Sequence, residues 1–439
     1  MSHNTFLLLI GIGIIAGLLF LIMSRKASAL TALIIVPVIG SLLAGYGMET
    51  FDFAIEGIRN IAPVAVMFIF AILFFGILTD AGMFDPVIDF IIWKVGNHPG
   101  RIAIGAAVLA MIVHLDGSGA VTFLIAIPAM LPVFEKMNMD KRILAAVVAL
   151  GAGTMNMVPW GGPTIRAATA LDIPIISLYN PMVIPQIAGL AFVILVAWHL
   201  GKKELKRLGP SVLDKRDIYR KELTEEEKRY RRPEKFTFNV IVTLAAVVLL
   251  ISGYLAPALV FMLGFVIVLI VNYPSLKEQK VRIDAHAKAC MLMASILLAA
   301  GVFTGIMQNS DLLGIMAQEL VNVFPSGSGK FIPVTIAVLS MPMSFLFDPD
   351  SYYFGFLPVI ASVSSELGIA KVSVAQASIL GQMTTGFPLS PLTPTTFLLV
   401  GLAGVDLGEH QKFTFKYAFL TTLVMTIVAL IMGVLPFPF

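Results

Sequence analysis

Long apolar stretches dominate this sequence and constrain its fold more than any other feature. Residues 5–23, 237–254 and 414–435 each come close to the roughly 20 apolar residues that an α-helix needs to cross a bilayer. Only 13% of all residues are charged, about half the share in a soluble domain. The stretches lack the polar–apolar alternation of outer-membrane barrel strands. The sequence therefore predicts an all-α polytopic membrane protein and excludes a soluble enzyme.

The first apolar stretch, residues 5–23, is not predicted to be a signal peptide. Arg25 and Lys26 follow it, whereas a secretory signal carries its positive charge first and a small-residue cleavage site afterwards. We interpret it as an uncleaved first membrane helix.

A polar connector, residues 201–236, divides the chain into two similar membrane repeats, 1–200 and 237–439. Short matches at a nearly constant separation support the repeat; Phe75-Gly76-Ile77, for example, matches Thr304-Gly305-Ile306. Each half is predicted to cross the membrane five times, and because five is odd the halves have opposite topology. Inverted repeats of this kind are typical of secondary transporters. The predicted crossings are residues 5–23, 27–46, 62–81, 141–171, 183–200, 237–254, 257–273, 289–308, 372–402 and 414–435.

Four apolar segments are interrupted by Gly, Pro and polar residues. Residues 101–134 and 331–366 are too long for one crossing and too short for two, so each is predicted to be a re-entrant hairpin. Residues 141–171 and 372–402 are predicted to cross as broken helices. Gly and Pro end a helix and free backbone amides and carbonyls, so the paired breaks indicate a binding site near the midplane.

Positive charge predicts the orientation. With the connector in the cytoplasm, the predicted inner loops hold all but four of the 30 Lys and Arg residues, as the positive-inside rule expects. Both termini then lie outside a plasma or inner membrane. A solvated segment explains the charge of the connector, and nucleic-acid binding is not predicted. Glu278, Asp284 and His286 are expected in a solvated inner loop.

Three polar interruptions together resemble a known family. The segments His114-Leu115-Asp116-Gly117-Ser118-Gly119, Pro159-Trp160-Gly161-Gly162-Pro163-Thr164-Ile165-Arg166 and Pro388-Leu389-Ser390-Pro391-Leu392-Thr393-Pro394-Thr395 look like those of the CitMHS family of citrate–metal/proton symporters, in the ion transporter superfamily. The resemblance implies a homodimer with a scaffold domain and a moving transport domain, of the elevator type. It also implies uptake of citrate as a complex with a divalent metal, coupled to protons rather than sodium.

The resemblance suggests roles for the polar residues of these interruptions, and it implies no permanently bound cofactor. Asp116, Asp348 and Asp350 are assigned to the metal of the substrate complex, because carboxylates suit Mg²⁺, Ca²⁺ or Mn²⁺. The guanidinium of Arg166 suits a substrate carboxylate. The proton-coupling candidates are Asp116, His114 and Asp350. The neutral substrate-binding candidates are Ser118, Asn156, Gly161, Gly162, Thr164, Thr384, Thr385, Ser390 and Thr395.

Structural interpretations of these residues stay open. Asp116 could instead cap the tip of a hairpin. Arg166 could be the counter-ion of a structural carboxylate such as Asp172, and His114 could be a hydrogen-bonded core residue.

Other functions also stay open. The first alternative is a carrier of the same superfamily for a dicarboxylate, gluconate or lactate, or a cation/proton antiporter. A channel is less favoured because paired inverted breaks indicate alternating access. An intramembrane enzyme is less favoured because no nucleophile motif such as Gly-x-Ser-x-Gly occurs in a fitting context.

Overall fold

The computed structural model describes residues 3–24, 26–209, 225–321 and 328–437. These residues form helices joined by turns, and no strand occurs among them. Within the same ranges, eight helical stretches are long and apolar enough to cross a membrane. The prediction of an all-α polytopic membrane protein is confirmed.

The helices of the first repeat end and restart where the sequence predicts interruptions. The hairpin of residues 101–134 is α5 and α6, and the broken helix of residues 141–171 is α7 and α8. The helices are α1 (His3–Met23), α2 (Ala29–Ala44), α3 (Glu49–Asp80), α4 (Asp85–Val95), α5 (Pro99–Val113), α6 (Gly119–Lys136), α7 (Lys141–Met155), α8 (Gly162–Leu171), α9 (Ile175–Tyr179) and α10 (Val183–Leu208).

The helices of the second repeat follow a similar order, except that the described residues include no counterpart of α9 and that the short helix Glu225–Tyr230 belongs to the connector. A π-helical turn, Ser351–Phe356, opens the second arm of its hairpin. Part of the connector, residues 210–224, lies outside the described residues, so its cytoplasmic position and the repeat boundaries stay predictions. The helices are α11 (Glu225–Tyr230), α12 (Phe236–Ser252), α13 (Pro257–Asn272), α14 (Leu276–Asn309), α15 (Leu312–Val321), α16 (Ile332–Met343), α17 (Leu357–Glu366), α18 (Lys371–Ile379), α19 (Pro394–Ala403) and α20 (Leu407–Ile431).

The predicted bounds of two crossings, 62–81 and 289–308, are too short. They correspond to α3 and α14, which have 32 and 34 residues and are therefore each about 50 Å long. Hydropathy detects only the part of a helix that matches the roughly 30 Å hydrocarbon layer. The polar ends, such as Glu49–Arg59 of α3, continue the helix beyond the apolar part, so hydropathy did not predict them.

The packing of α3 against α14 supports the inverted repeat. A Cβ atom on Gly76 would lie 2.7 Å from the His286 ring, and one on Gly305 would lie 2.7 Å from the Cα atom of Gly57. Gly76 precedes Gly305 in the chain by the same number of residues as Gly57 precedes His286. The repeat therefore relates one contact to the other. Each contact joins the start of one helix to the end of the other helix. The two long helices pack antiparallel about a pseudo-two-fold axis.

The expectation of a solvated loop is wrong, because Glu278, Asp284 and His286 all lie within α14 and only Asp284 of the three is exposed. His286 is partly buried. Its Nε2 atom is 2.9 Å from the Asp80 carboxylate at the end of α3, and Arg282 donates to the same oxygen at 3.2 Å. The Arg282 guanidinium also lies 3.5 Å from the centre of the Tyr230 ring. These contacts attach the described end of the connector to the α3–α14 pair.

The turn between α6 and α7 is joined to the end of α10 by charged groups. The Asp140 backbone N–H donates to Glu204 at 2.7 Å, and the Arg142 guanidinium donates to both carboxylate oxygens of Asp140. Arg207 donates to both carboxylate oxygens of Glu204. Burial opposes the charge of Asp140, but its hydrogen bonds with Arg142 outweigh burial and hold the pKa of the carboxyl below its ordinary value.

The stabilisation from Asp140 is therefore expected to depend on pH. A lowered pKa in the folded state stabilises the protein above the unfolded-state pKa of about 4, and this contribution disappears as the pH falls through the folded-state value. In thermal unfolding of the purified protein, Asp140→Asn should lower the midpoint at pH 7. The difference from wild type should shrink below about pH 4. A constant difference down to pH 3 would contradict this role.

Candidate functional site

The tip of the first hairpin is a tight turn closed by Asp116. Its Oδ1 atom accepts the backbone N–H of Ser118 at 2.8 Å, and Gly117 between them has a φ of 73°. Ser118 in turn caps the start of α6 by accepting the N–H of Val121 at 3.3 Å. Asp116 thus has the structural role of closing the turn at the hairpin tip, and it is only partly buried.

The tip of the second hairpin repeats this arrangement. Asp348 Oδ1 accepts the backbone N–H groups of Asp350 and Ser351 at 3.0 and 3.1 Å, and Asp348 Oδ2 accepts the Ser351 hydroxyl. Leu115-Asp116 and Phe347-Asp348 are another of the short sequence matches between the two repeats. The two tips are therefore related in geometry as well as in sequence.

An ion pair joins the second hairpin to the first broken helix. Arg166 Nε donates to Asp350 Oδ1 at 2.8 Å, and the two side chains are 8% and 16% exposed. The alternative partner, Asp172, is exposed at the left-handed C-cap of α8. It lines a cavity of about 300 Å³ between α3, the turn after α8 and the turn before α13. The counter-ion of Arg166 is thus a residue of the other repeat.

The breaks of the two broken helices contact each other. Asn156, the C-cap of α7, donates from Nδ2 to the carbonyl of Met383 in the second break at 2.7 Å. A Cβ atom on Gly153 would lie 2.6 Å from the carbonyl oxygen of Thr384. These contacts bring polar residues of both repeats to one place.

The first hairpin tip lies against both breaks. Trp160 Nε1, from the first break, donates to the carbonyl of Leu115 at 2.7 Å. The ring of His114 stacks on Phe387, from the second break, with a centroid distance of 6.1 Å. His114 is fully buried, and its Nδ1 atom lies 2.8 Å from the Thr122 hydroxyl.

The second hairpin is held against the second break. The Tyr353 hydroxyl donates to the carbonyl of Gln382 at 2.9 Å, and the Ser390 hydroxyl donates to the carbonyl of Ser344. Ser344 also donates to the Gln382 side chain. Together with the Arg166 ion pair, these bonds connect all four interruptions into one assembly.

Several predicted substrate ligands use their polar atoms within this assembly. Thr164 donates to the carbonyl of Met157 at 2.7 Å, Thr384 donates to that of Ile379 at 2.6 Å, and Thr385 bonds to Thr422. The Thr164 and Thr384 hydroxyls satisfy carbonyls that the interruptions leave without a helical N–H, and the partner of Thr385 is another hydroxyl. Thr395 differs, because its hydroxyl has no hydrogen-bond partner in the part of the chain that the structure describes.

The two predicted glycine ligands differ in what surrounds them. A Cβ atom on Gly161 would lie 1.9 Å from the carbonyl oxygen of Asn156, and one on Gly162 would lie 2.5 Å from the Met383 methyl group. Close approach of backbone thus explains Gly161, whereas Gly162 faces the flexible end of a side chain. The roles of all the candidate residues in binding cargo stay predictions.

A preformed metal site is not found within the described ranges, where no three His, Cys, Asp or Glu side chains gather around one point. Asp350 pairs with Arg166, and Asp116 and Asp348 close separate turns. The assignment of these carboxylates to the metal of the cargo stays a prediction.

Sequence reasoning missed several residues that hold the breaks in place. Gln186 and Tyr179 lie beside the first break, and His410 and Gln411 lie beside the second. All four are outside the interruptions themselves. A glutamine within the apolar stretch 183–200 was the available signal, because an amide there needs a hydrogen-bond partner.

Comparison with known proteins identifies the family. The family model of the CitMHS citrate transporters matches residues 18–381. The chain belongs to the CitMHS family. It is 42% identical over 431 residues to a "Citrate transporter" of Bacillus subtilis (strain 168), covering 98% of this chain and 100% of that protein. As a member of this family it is a multi-pass membrane transporter and not an enzyme.

A second relative from Bacillus subtilis (strain 168) is named "Mg(2+)/citrate complex secondary transporter". It is 42% identical to this CitMHS chain over 414 residues, covering 94% of this chain and 95% of that protein. The fold resembles the crystal structure of the Alcanivorax borkumensis YdaH transporter, with a TM-score of 0.63 at 14% identity. The match covers 88% of this chain and 87% of the other. This likeness shows that the two chains share a fold.

Proposed function

We propose that this CitMHS protein imports citrate as a complex with a divalent metal, in symport with protons. The observation that carries the proposal is that hydrogen bonds and the Arg166–Asp350 pair join all four interruptions, with Asp116 and Asp348 closing the two hairpin tips. The two relatives named for citrate and for Mg(2+)/citrate support this cargo.

The charge of the assembly suits such a cargo. Three carboxylates and one guanidinium leave the interruptions net negative when all four groups are charged. A metal–citrate complex brings a hard cation that carboxylate oxygens bind well, together with carboxylates that a guanidinium binds. Moving one charge across 100 mV changes the energy by about 2.3 kcal/mol, so protonation or metal arrival would determine whether the membrane potential opposes crossing. Asp116, Asp350 and His114 are the candidates for the proton.

An elevator mechanism fits the contacts between the helices. Side-chain hydrogen bonds to the backbone carbonyls of the interruptions link the two hairpins, the two broken helices and helices α10 and α20. These elements would move as one unit. Helices α2, α3, α13 and α14 pack on one another and would form the stationary scaffold of a homodimer. We place the connector in the cytoplasm and both termini outside the plasma or inner membrane.

Uptake of isotopic citrate into reconstituted vesicles tests the function. Mg²⁺, Ca²⁺, Mn²⁺, Zn²⁺ and Fe³⁺ should be compared, each with and without a pH gradient, and with sodium as an alternative driving ion. We expect saturable uptake that requires a hard divalent metal and increases with an inward proton gradient. Equal uptake without metal, or stronger inhibition by a dicarboxylate, gluconate or lactate than by excess unlabelled metal–citrate, would favour another carboxylate.

Replacing Asp116 with asparagine separates its two roles. The asparagine oxygen can still accept the Ser118 N–H and keep the turn, but the negative charge is lost. We expect Asp116→Asn to reach the membrane in normal amounts and to lose metal-dependent citrate uptake. Asp406→Asn is a matched control, because Asp406 accepts the Glu409 N–H at the exposed start of α20. Wild-type uptake by Asp116→Asn would remove this carboxylate from the mechanism.

A further inference from the structure

Gln186 on α10 bonds to the end of α7, next to the first break. Its Nε2 atom lies 3.1 Å from the carbonyl oxygen of Thr154 and 3.3 Å from that of Met155. The last carbonyls of a helix have no N–H partner within the helix. Gln186 therefore supplies, from a neighbouring helix, a donor to the Thr154 carbonyl and a second donor to the Met155 carbonyl, which also accepts the Val158 N–H at 3.2 Å.

A tyrosine hydroxyl completes the hydrogen bonding of this amide. The Tyr179 hydroxyl lies 2.7 Å from Gln186 Oε1, and the two side chains are 6% and 4% exposed. A carbonyl can only accept, so Nε2 of Gln186 must face Thr154 and Met155 while Oε1 accepts the hydroxyl proton. The orientation of the amide follows from its three neighbours.

The second repeat uses its last helix in the same way. His410 Nε2, on α20, lies 3.0 Å from the carbonyl oxygen of Pro388, and the Gln411 amide donates to that of Leu389 at 2.9 Å. Because the Pro388 carbonyl can only accept, His410 carries a proton on Nε2. Both breaks are thus held by side chains from the helix that ends their own repeat.

We propose that Tyr179 and Gln186 are positioning residues that set the geometry of the first break for binding cargo. Asn156 directly follows Met155 and bridges to the second break through the Met383 carbonyl. A change in the direction of the α7 carbonyls would move Asn156 and with it the relation between the two breaks. The inference rests on the proposed function, since it assigns these residues an effect on cargo affinity.

Two variants of the full-length chain test the role in reconstituted vesicles, with Mg²⁺ plus citrate as the probe. Tyr179→Phe removes the hydroxyl that donates to the amide oxygen, and Gln186→Glu replaces two donors with a group that donates only when protonated. We expect each variant to raise the apparent KM roughly three- to tenfold, the effect of losing about one hydrogen bond, with Vmax per reconstituted protein unchanged. The KM of Gln186→Glu relative to wild type should decrease as the pH is lowered.

Matched controls come from the α13–α14 region, away from the breaks. Tyr273 is a buried tyrosine whose hydroxyl donates to the carbonyl of Tyr230 at 2.8 Å, and the Gln279 amide donates to the carbonyl of Tyr273 at 2.9 Å. Tyr273→Phe and Gln279→Glu should keep the wild-type KM at every pH.

The outcomes distinguish the inference from the function on which it rests. A wild-type KM in both test variants, or the loss of both from the membrane, would show a purely structural role and overturn the inference alone. A wild-type protein that takes up no citrate with any metal would overturn the proposed function, and the positioning role would fall with it.

Discussion

Replacing Asp350 with asparagine is expected to abolish citrate uptake and to lower the thermal stability of the purified protein. The substitution leaves the Arg166 guanidinium buried, at 8% exposure, without a charged partner. Breaking a buried ion pair by removing one member costs about 3–5 kcal/mol, because the remaining charge is not compensated. Uptake into vesicles and the unfolding midpoint in detergent measure the two effects.

The double variant Arg166→Gln/Asp350→Asn separates stability from transport. Removing both charges relieves the unpaired guanidinium, so the unfolding midpoint should recover much of the loss seen in Asp350→Asn. Uptake should stay absent, because neither the guanidinium nor the carboxylate remains to meet the cargo. Recovery of uptake together with stability would show that the pair has only a structural role.

An exposed ion pair provides the control for charge removal. Lys228 and Glu225 form a bond of 2.7 Å with side chains that are 55% and 90% exposed. Surface pairs contribute at most about 1 kcal/mol. Glu225→Gln should therefore leave both uptake and the unfolding midpoint close to wild type, in contrast to Asp350→Asn.

Replacing Gly57 with alanine is expected to separate the two central helices. A Cβ atom on Gly57 would lie 2.0 Å from the carbonyl oxygen of Gly301, so the α3 and α14 backbones must move apart. Overpacking typically costs 1–3 kcal/mol, and a clash with backbone cannot be relieved by a rotamer change. We expect destabilisation of about 3 kcal/mol or more, measured as a lower unfolding midpoint and less folded protein in the membrane.

Gly13→Ala in α1 is the matched control for this prediction. A Cβ atom at Gly13 would meet no atom within 4 Å, and alanine favours a helix by up to about 1 kcal/mol over glycine. The control should be as stable as wild type or slightly more stable. A Gly57→Ala protein as stable as Gly13→Ala would show that the helices tolerate a wider separation.

The interruptions were predictable from sequence because Gly and Pro act locally. The turn at Asp116 and Gly117 and the breaks at 156–161 and 380–393 occur where residues that end helices cluster within apolar segments. The ends of α3 and α14 were not predictable in this way, because charged residues at 49–59 are compatible with either a loop or a projecting helix.

Sequence alone determined the membrane location, the helical class, the inverted repeat and the four interruptions, because apolar length, charge placement and helix-breaking residues act over short distances. Tertiary structure decided the partners: it paired Arg166 with Asp350 instead of Asp172, and it placed Gln186 and His410 against break carbonyls. The physical reason is that these bonds join residues far apart in the chain. A buried donor finds its acceptor only when packing has set which helices are neighbours.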